Sequence, residues 1–231
     1  MIKSYCLSLI NTNTDDCQAQ FNKYNLDVDI MYNERSPING THGCFMSHIQ
    51  ALTLGLTTDA KYIMIFEDDV YFMTNDLDPF GKITEFIETL TGDFCLTLGY
   101  MSASAAAKLG DFIKLANCYC THAYIVPRST AKRLIDLPWN DIPYDMAWNE
   151  CIDQFYACYP MIAYQRDRLS SVSNDLAKTL TYYVGFKNIC SLCEYYCCEV
   201  QSVNWIGLAI LMVVFVILLI FNSDLFNLSY G

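Results

Sequence analysis

Basic residues are scarce in this chain: 14 Lys and Arg stand against 25 Asp and Glu, a formal charge of −11. Nucleic-acid phosphates are held by clustered Lys and Arg, so so acidic a surface argues against nucleic acid as a partner. The first residues also read poorly as a secretory leader. The opening "MIKSYCLSLI" interrupts its apolar stretch at Ser4 and Ser8, and no small-residue cleavage site follows. No internal repeat and no low-complexity stretch occurs, which leaves an ordinary domain with an appendage as the expectation for 231 residues.

Charge is absent altogether between Glu199 and Asp224. Within that gap "WIGLAILMVVFVILLIF", residues 205–221, is apolar throughout. Seventeen helical residues span about 26 Å, enough for a thin bilayer of about 27 Å. A core helix would keep a polar face, and this run has none. A transmembrane helix over 204–222 with a short tail at 223–231 is therefore predicted, a single-pass C-terminal anchor. The nearest upstream basic residue is Lys187 and none follows the run, which points to a cytosolic N-terminal part. Asn-Gly-Thr at 39–41 and Asn-Leu-Ser at 227–229 match glycan acceptor sequences, but in this topology the first never meets the lumen.

Twelve cysteines are present. In a cytosolic part they stay reduced, and Cys6, Cys17, Cys95, Cys118 and Cys120 read as small buried hydrophobes. Cys190, Cys193, Cys197 and Cys198, close before the apolar run, suit S-acylation or a zinc site; their spacing fits zinc only in part.

From Ile2 to about Ile162, short apolar runs alternate with amphipathic stretches. "YCLSLI", "DVDIMY", "KYIMIF", "FCLTLGY" and "CTHAYIVP" read as strands. Helices are expected before Tyr24, over "CFMSHIQALTLGL", near 79–90, over "RSTAKRLID" and over "PYDMAWNECIDQFY", with a polar loop at 33–42. This order predicts an α/β fold with a mainly parallel sheet flanked by helices, whose ligands bind beyond the C-terminal strand ends.

Glu67, Asp68 and Asp69 lie at such an end, directly after "KYIMIF". Three adjacent carboxylates repel one another, and a hard divalent cation bridging to a substrate diphosphate would offset that; solvated acids on an exposed loop are the plainer reading. Upstream, "GCFMSHIQAL" places Ser47 beside His48. Neighbours on a helix diverge, so they do not form a nucleophile and its base. In "YDMAW", Asp145 suits either a helix N-cap or a general base, with Glu150 and Asp153 as nearby alternatives.

Taken together, Gly-Cys-x-x-Ser-His and the later apolar strand ending in Glu-Asp-Asp-Val resemble glycosyltransferase family 25, the lipopolysaccharide-biosynthesis and collagen galactosyltransferase type. "THAYIVPRSTAKRLI", "YDMAW" and "YPMIAYQRDRLSSV" (Pro160, Gln165, Ser170 or Ser171) continue the likeness over roughly residues 1–175. The resemblance implies a GT-A-like Rossmann-type fold, a divalent metal (Mn²⁺ or Mg²⁺), and a nucleotide-diphosphate sugar donor of the UDP-hexose type. It further implies a glycan or protein hydroxyl as acceptor. Glu67 and Asp69 would face the metal. Asp68, Ser47 and Gln165 would serve the donor, and Asp145 with His48 the chemistry. The chain departs from the family where an Arg usually follows the first strand, having Asp15, Asp16 and Cys17, and where a Glu is common, having Thr41. Residues 176–203 would connect to the membrane. The compact, cysteine-rich form resembles copies carried by large DNA viruses, implying a host or virion membrane. Two rival readings remain at this point: an inactive membrane-tethered binding protein of the same fold, and a metal-dependent nucleotidyl- or phosphotransferase.

Overall fold

The computed structural model describes residues 1–100 and 105–166. Strand β1 (Ile2–Leu9) is followed by helix α1 (Asp15–Lys23), strand β2 (Val28–Asn33), helix α2 (Gly40–Leu56) and strand β3 (Tyr62–Glu67). A short strand β4 (Val70–Phe72), helix α3 (Pro79–Thr89), strand β5 (Cys95–Thr97) and a hairpin of β6 (Ala105–Leu109) and β7 (Phe112–Leu115) come next. Strand β8 (Ala123–Pro127), helices α4 (Arg128–Ile135) and α5 (Tyr144–Ala147), and strands β9 (Phe155–Cys158) and β10 (Ala163–Gln165) complete the described part.

Eight strands form one sheet in the order β2-β1-β3-β8-β5-β9-β7-β6, while β4 and β10 pair separately. The sheet is mixed, which corrects the mainly parallel expectation. β1 runs parallel to β2 and β3, and β5 to β9, but β8 is antiparallel to both β3 and β5, and β7 to β9. "FCLTLGY" and "CTHAYIVP" supply strands buried on both faces, and such runs look alike whichever way they point. Only the chain path, here the β6–β7 hairpin turning at Gly110 with φ +67°, sets their direction.

Alternation divides the side chains between two cores. Tyr62, Met64 and Phe66 of β3 pack with Cys17 and Phe21 of α1 and with Phe80, Ile83 and Ile87 of α3. Ile63 and Ile65 face the other way, onto Phe45, Ala51 and Leu52 of α2, Ala131 and Leu134 of α4, and Tyr144 and Trp148. The result is a three-layer α/β arrangement with helices on both faces.

Helix α2 begins at Gly40, inside the stretch expected to be loop, because the Asn39 side chain accepts the His42 N–H at 2.7 Å as its N-cap. The helix expected over residues 143–156 is corrected more severely. Only Tyr144–Ala147 is α-helical; a 3₁₀ turn follows at Trp148–Glu150, and Phe155–Cys158 is a strand between β5 and β7. Pairing with two neighbours overrides the local helical pattern there. The N-cap is Pro143, so Asp145 is not a cap but a first-turn residue.

Cys6, Cys17, Cys95 and Cys118 are buried free thiols, whereas Cys120 is only half-buried and takes φ +77°. Among the described residues no helix is long and apolar enough to cross a membrane. The predicted span, the cysteine cluster at 190–198 and the tail lie outside the described residues.

Candidate active site

The alternation that buries β3 also aims its end. Glu67 continues the row of Ile63 and Ile65 and so points toward α2, whereas Asp68 points to the opposite side. Each acid finds a specific partner. Asp68 Oδ2 accepts the Ser8 hydroxyl at 2.6 Å, from the C-terminal end of β1. Glu67 Oε1 accepts the Thr121 hydroxyl at 2.8 Å and lies 3.5 Å from His48 Nε2. The Gln165 amide Nε2 stands between the remaining oxygens, 3.4 Å from Glu67 Oε2 and 3.5 Å from Asp69 Oδ2.

Gln165 reaches this position through the β4–β10 ladder, where it pairs with Val70, the residue after Asp69. That ladder depends on a glycine. The Ile162 and Ala163 N–H groups both donate to the Leu98 carbonyl at 3.0 Å, drawing the chain across Gly99. A Cβ on Gly99 would lie 1.9 Å from the Ala163 carbonyl oxygen, so no other residue fits without moving backbone.

Arg166 arrives with Gln165. Its N–H donates to the Asp69 carbonyl at 2.9 Å, and its guanidinium pairs with Asp16 in the first turn of α1. Arg166 is thereby tied to the acidic strand end through its backbone, with its guanidinium held by Asp16. The sequence reading missed it; its only signal was adjacency to Gln165.

His48 is fully buried, with Nδ1 3.1 Å from the Tyr124 hydroxyl and its ring stacked on Tyr144 at 4.6 Å. Burial pushes the Glu67 carboxyl up, but the neighbouring His48 imidazole, the Thr121 hydroxyl and His122 outweigh it and leave its pKa below the ordinary glutamate value. Ser47 is turned away from this cluster: its hydroxyl donates to the Gly43 carbonyl one turn back at 2.8 Å.

Asp145 Oδ2 accepts the Cys120 N–H at 3.1 Å, and Cys120 itself takes a left-handed backbone at φ +77°. Burial raises the Asp145 pKa, the Glu67 charge adds to the rise, and the Cys120 bond opposes it. The alternatives are worse placed. Asp153 pairs with Arg133 at 3.1 Å, and Glu150 is exposed.

Two sets of atoms suit a cation. Glu67 and Asp69 converge on the partly positive Gln165 amide, a point where a hard ion would satisfy both carboxylates, so these residues fit such a group. Separately, one ligand atom each from Cys44, His48 and Glu67 lies within 4.8 Å of the others. A cavity of about 620 Å³ beside β4 and β10, bordered by Lys23, Phe72, Met73, Lys82, Tyr159 and Tyr164, includes none of Glu67, Asp68, Asp69 and Asp145.

Comparison with known proteins bears on the family and the fold. The family model "Glycosyltransferase family 25 (LPS biosynthesis protein)" matches residues 6–148. No curated protein matches the chain. Among solved structures, A197 from STIV is similar in fold at 16% identity and a TM-score of 0.51, over 71% of this chain and 84% of that one. A glycosyltransferase involved in glycosylation of the major capsid of PBCV-1 matches at 12% identity and a TM-score of 0.40, over 68% of this chain and 93% of that one. UDP-glucose pyrophosphorylase complexed with UDP-glucose matches at 9% identity and a TM-score of 0.44, over 70% and 75%. The family match takes in the Gly-Cys-x-x-Ser-His helix, the acidic strand end and Asp145, and the chain belongs to glycosyltransferase family 25.

Proposed function

We propose that this glycosyltransferase moves a hexose from a nucleotide-diphosphate sugar, of the UDP-hexose class, to a hydroxyl of a glycan or protein, with inversion at the anomeric carbon. The observation that carries the reading is the convergence of Glu67 and Asp69 on one point at the C-terminal end of β3, with Arg166 against Asp69 and Asp145 within electrostatic reach of Glu67.

In this reading Asp145 takes the proton from the acceptor hydroxyl. The acceptor oxygen bonds to the anomeric carbon while the carbon–oxygen bond to the diphosphate breaks, and the diphosphate leaves with the electron pair. Arg166 faces the charge that gathers on that leaving group. Asp68, oriented by Ser8, serves the donor's ribose or sugar, and Gln165 spaces the two carboxylates. His48 fixes Glu67 in its ionised form. Glu67 and Asp69 would hold a Mn²⁺ or Mg²⁺ ion, which when bound would supply further positive charge for the leaving diphosphate. Residues 204–222 anchor the chain in a membrane, host or virion, with the catalytic part on the cytosolic side.

Screening the full chain in detergent against several nucleotide sugars with Mn²⁺, for hydrolysis and transfer, tests the reading. Calorimetric titration of the Asp69→Asn variant with uridine diphosphate and Mn²⁺ should show at least about a tenfold loss of metal-dependent affinity. Unchanged affinity would overturn the ion's placement.

A further inference from the structure

The Cys44–His48–Glu67 cluster has a chemistry different from that of the carboxylate pair. Cys44 and His48 are four residues apart on α2 and so lie on one helix face, while alternation along β3 sends Glu67 toward the same face. The His48 ring is already oriented, its Nδ1 engaged by the Tyr124 hydroxyl at 3.1 Å. Its Nε2 is buried without a hydrogen-bond partner and faces Glu67 Oε1 at 3.5 Å. That separation is beyond the usual N–H···O limit of about 3.2 Å. It matches two ligands on one tetrahedral ion, which at bond lengths of about 2.0–2.1 Å stand about 3.3 Å apart.

We infer that Cys44, His48 and Glu67 form a binding site for a thiophilic divalent ion of the zinc class, next to the proposed Mn²⁺ or Mg²⁺ position and sharing Glu67 with it. A thiol, an imidazole and a carboxylate are the donor types zinc takes, and manganese and magnesium prefer oxygen alone. Three protein ligands leave the fourth tetrahedral position to water or substrate. The outer contacts are in place as well: Tyr124 holds the far nitrogen of His48, and Thr121 holds the ligating oxygen of Glu67. Glu67 would bind this ion through Oε1 and leave Oε2 toward Gln165 and Asp69.

Cobalt substitution reads the site without nucleotide and independently of catalysis. The full chain in detergent, titrated with Co²⁺, should develop a thiolate-to-cobalt charge-transfer band at one equivalent. Zinc should abolish the band by competition. Cys44→Ser should remove it, His48→Gln should weaken Co²⁺ binding at least about a hundredfold, and Tyr124→Phe about tenfold. A variant with Cys190, Cys193, Cys197 and Cys198 all changed to Ser should keep the band. No band in the wild type, or a band lost only in the four-serine variant, overturns the inference. If Cys44→Ser fails to fold, an undiminished band in His48→Gln overturns it equally.

Discussion

At Asp145 two effects act on one carboxyl: burial and the Glu67 charge favour the proton, and the Cys120 N–H favours the anion. The net rise suits a general base, because a base works best with a pKa nearer the working pH. Asp145→Asn should slow transfer by about 10²–10⁴-fold while donor binding persists. The acid limb of the wild-type kcat/KM profile should lie above the ordinary aspartate value of about 3.9, and the variant should lack it. The sign for stability runs opposite to that of a paired carboxylate. A raised folded-state pKa means that ionising Asp145 costs stability; the cost is absent below the unfolded-state value and complete above the folded one. Asp145→Asn should therefore melt no lower than wild type at neutral pH, where near-normal transfer would return Asp145 to a structural role. Arg166 admits a similarly sharp test. Facing a diphosphate, Arg166→Met should weaken uridine diphosphate binding at least about tenfold while sparing uridine. Asp16→Asn, which releases the guanidinium, should not weaken it. Equal losses in both variants would make the pair a structural tie.

At the scale of elements, two connections position the site, and they should fail differently. Asn39 caps α2 by a single side-chain bond, so Asn39→Ala should cost about 1 kcal/mol, read as a fall in Tm of about 2–4 °C. Gly99 is a point of backbone contact instead. Gly99→Ala must push the Ala163 carbonyl away and carry β10 with it, at a cost of about 1–3 kcal/mol. Because β10 holds Gln165 and leads into Arg166, this variant should also lose donor affinity in titration calorimetry. A Gly99→Ala protein with normal affinity would show that the β4–β10 ladder does not order the acids.

For the whole molecule, the net charge of −11 makes a local cation such as Arg166 more consequential for an anionic donor. The same chain carries the uncharged stretch from 200 to 223, which in the proposed reading would anchor the enzyme in a membrane. The full chain should resist alkaline extraction from membranes, and protease added outside microsomes should digest residues 1–175. A protected N-terminal part bearing a glycan on Asn39 would reverse the topology and reopen disulfide pairing for the cysteines.

What the sequence determined by itself was local or repeated. Short apolar runs marked β1, β2 and β3, helical periodicity marked most of α2, α3 and α4, and the Glu-Asp-Asp end and the Gly-Cys-x-x-Ser-His helix carried the family. Strand direction could not be read, because buried strands look the same either way. Neither could β4, β9 and β10, short strands whose pattern is set by neighbours rather than by their own propensity. The site shows the same division. Glu67, Asp68 and Asp69 were legible as three charges in a row, but Ser8, Thr121, Gln165 and Arg166 reach them from 54 to 98 residues away, through hydrogen bonds and strand pairing that no spacing encodes. A side chain's chemistry belongs to the sequence. Which groups converge, and which way burial shifts their pKa, follows from packing, and packing is decided only once the whole sheet has closed over its two cores.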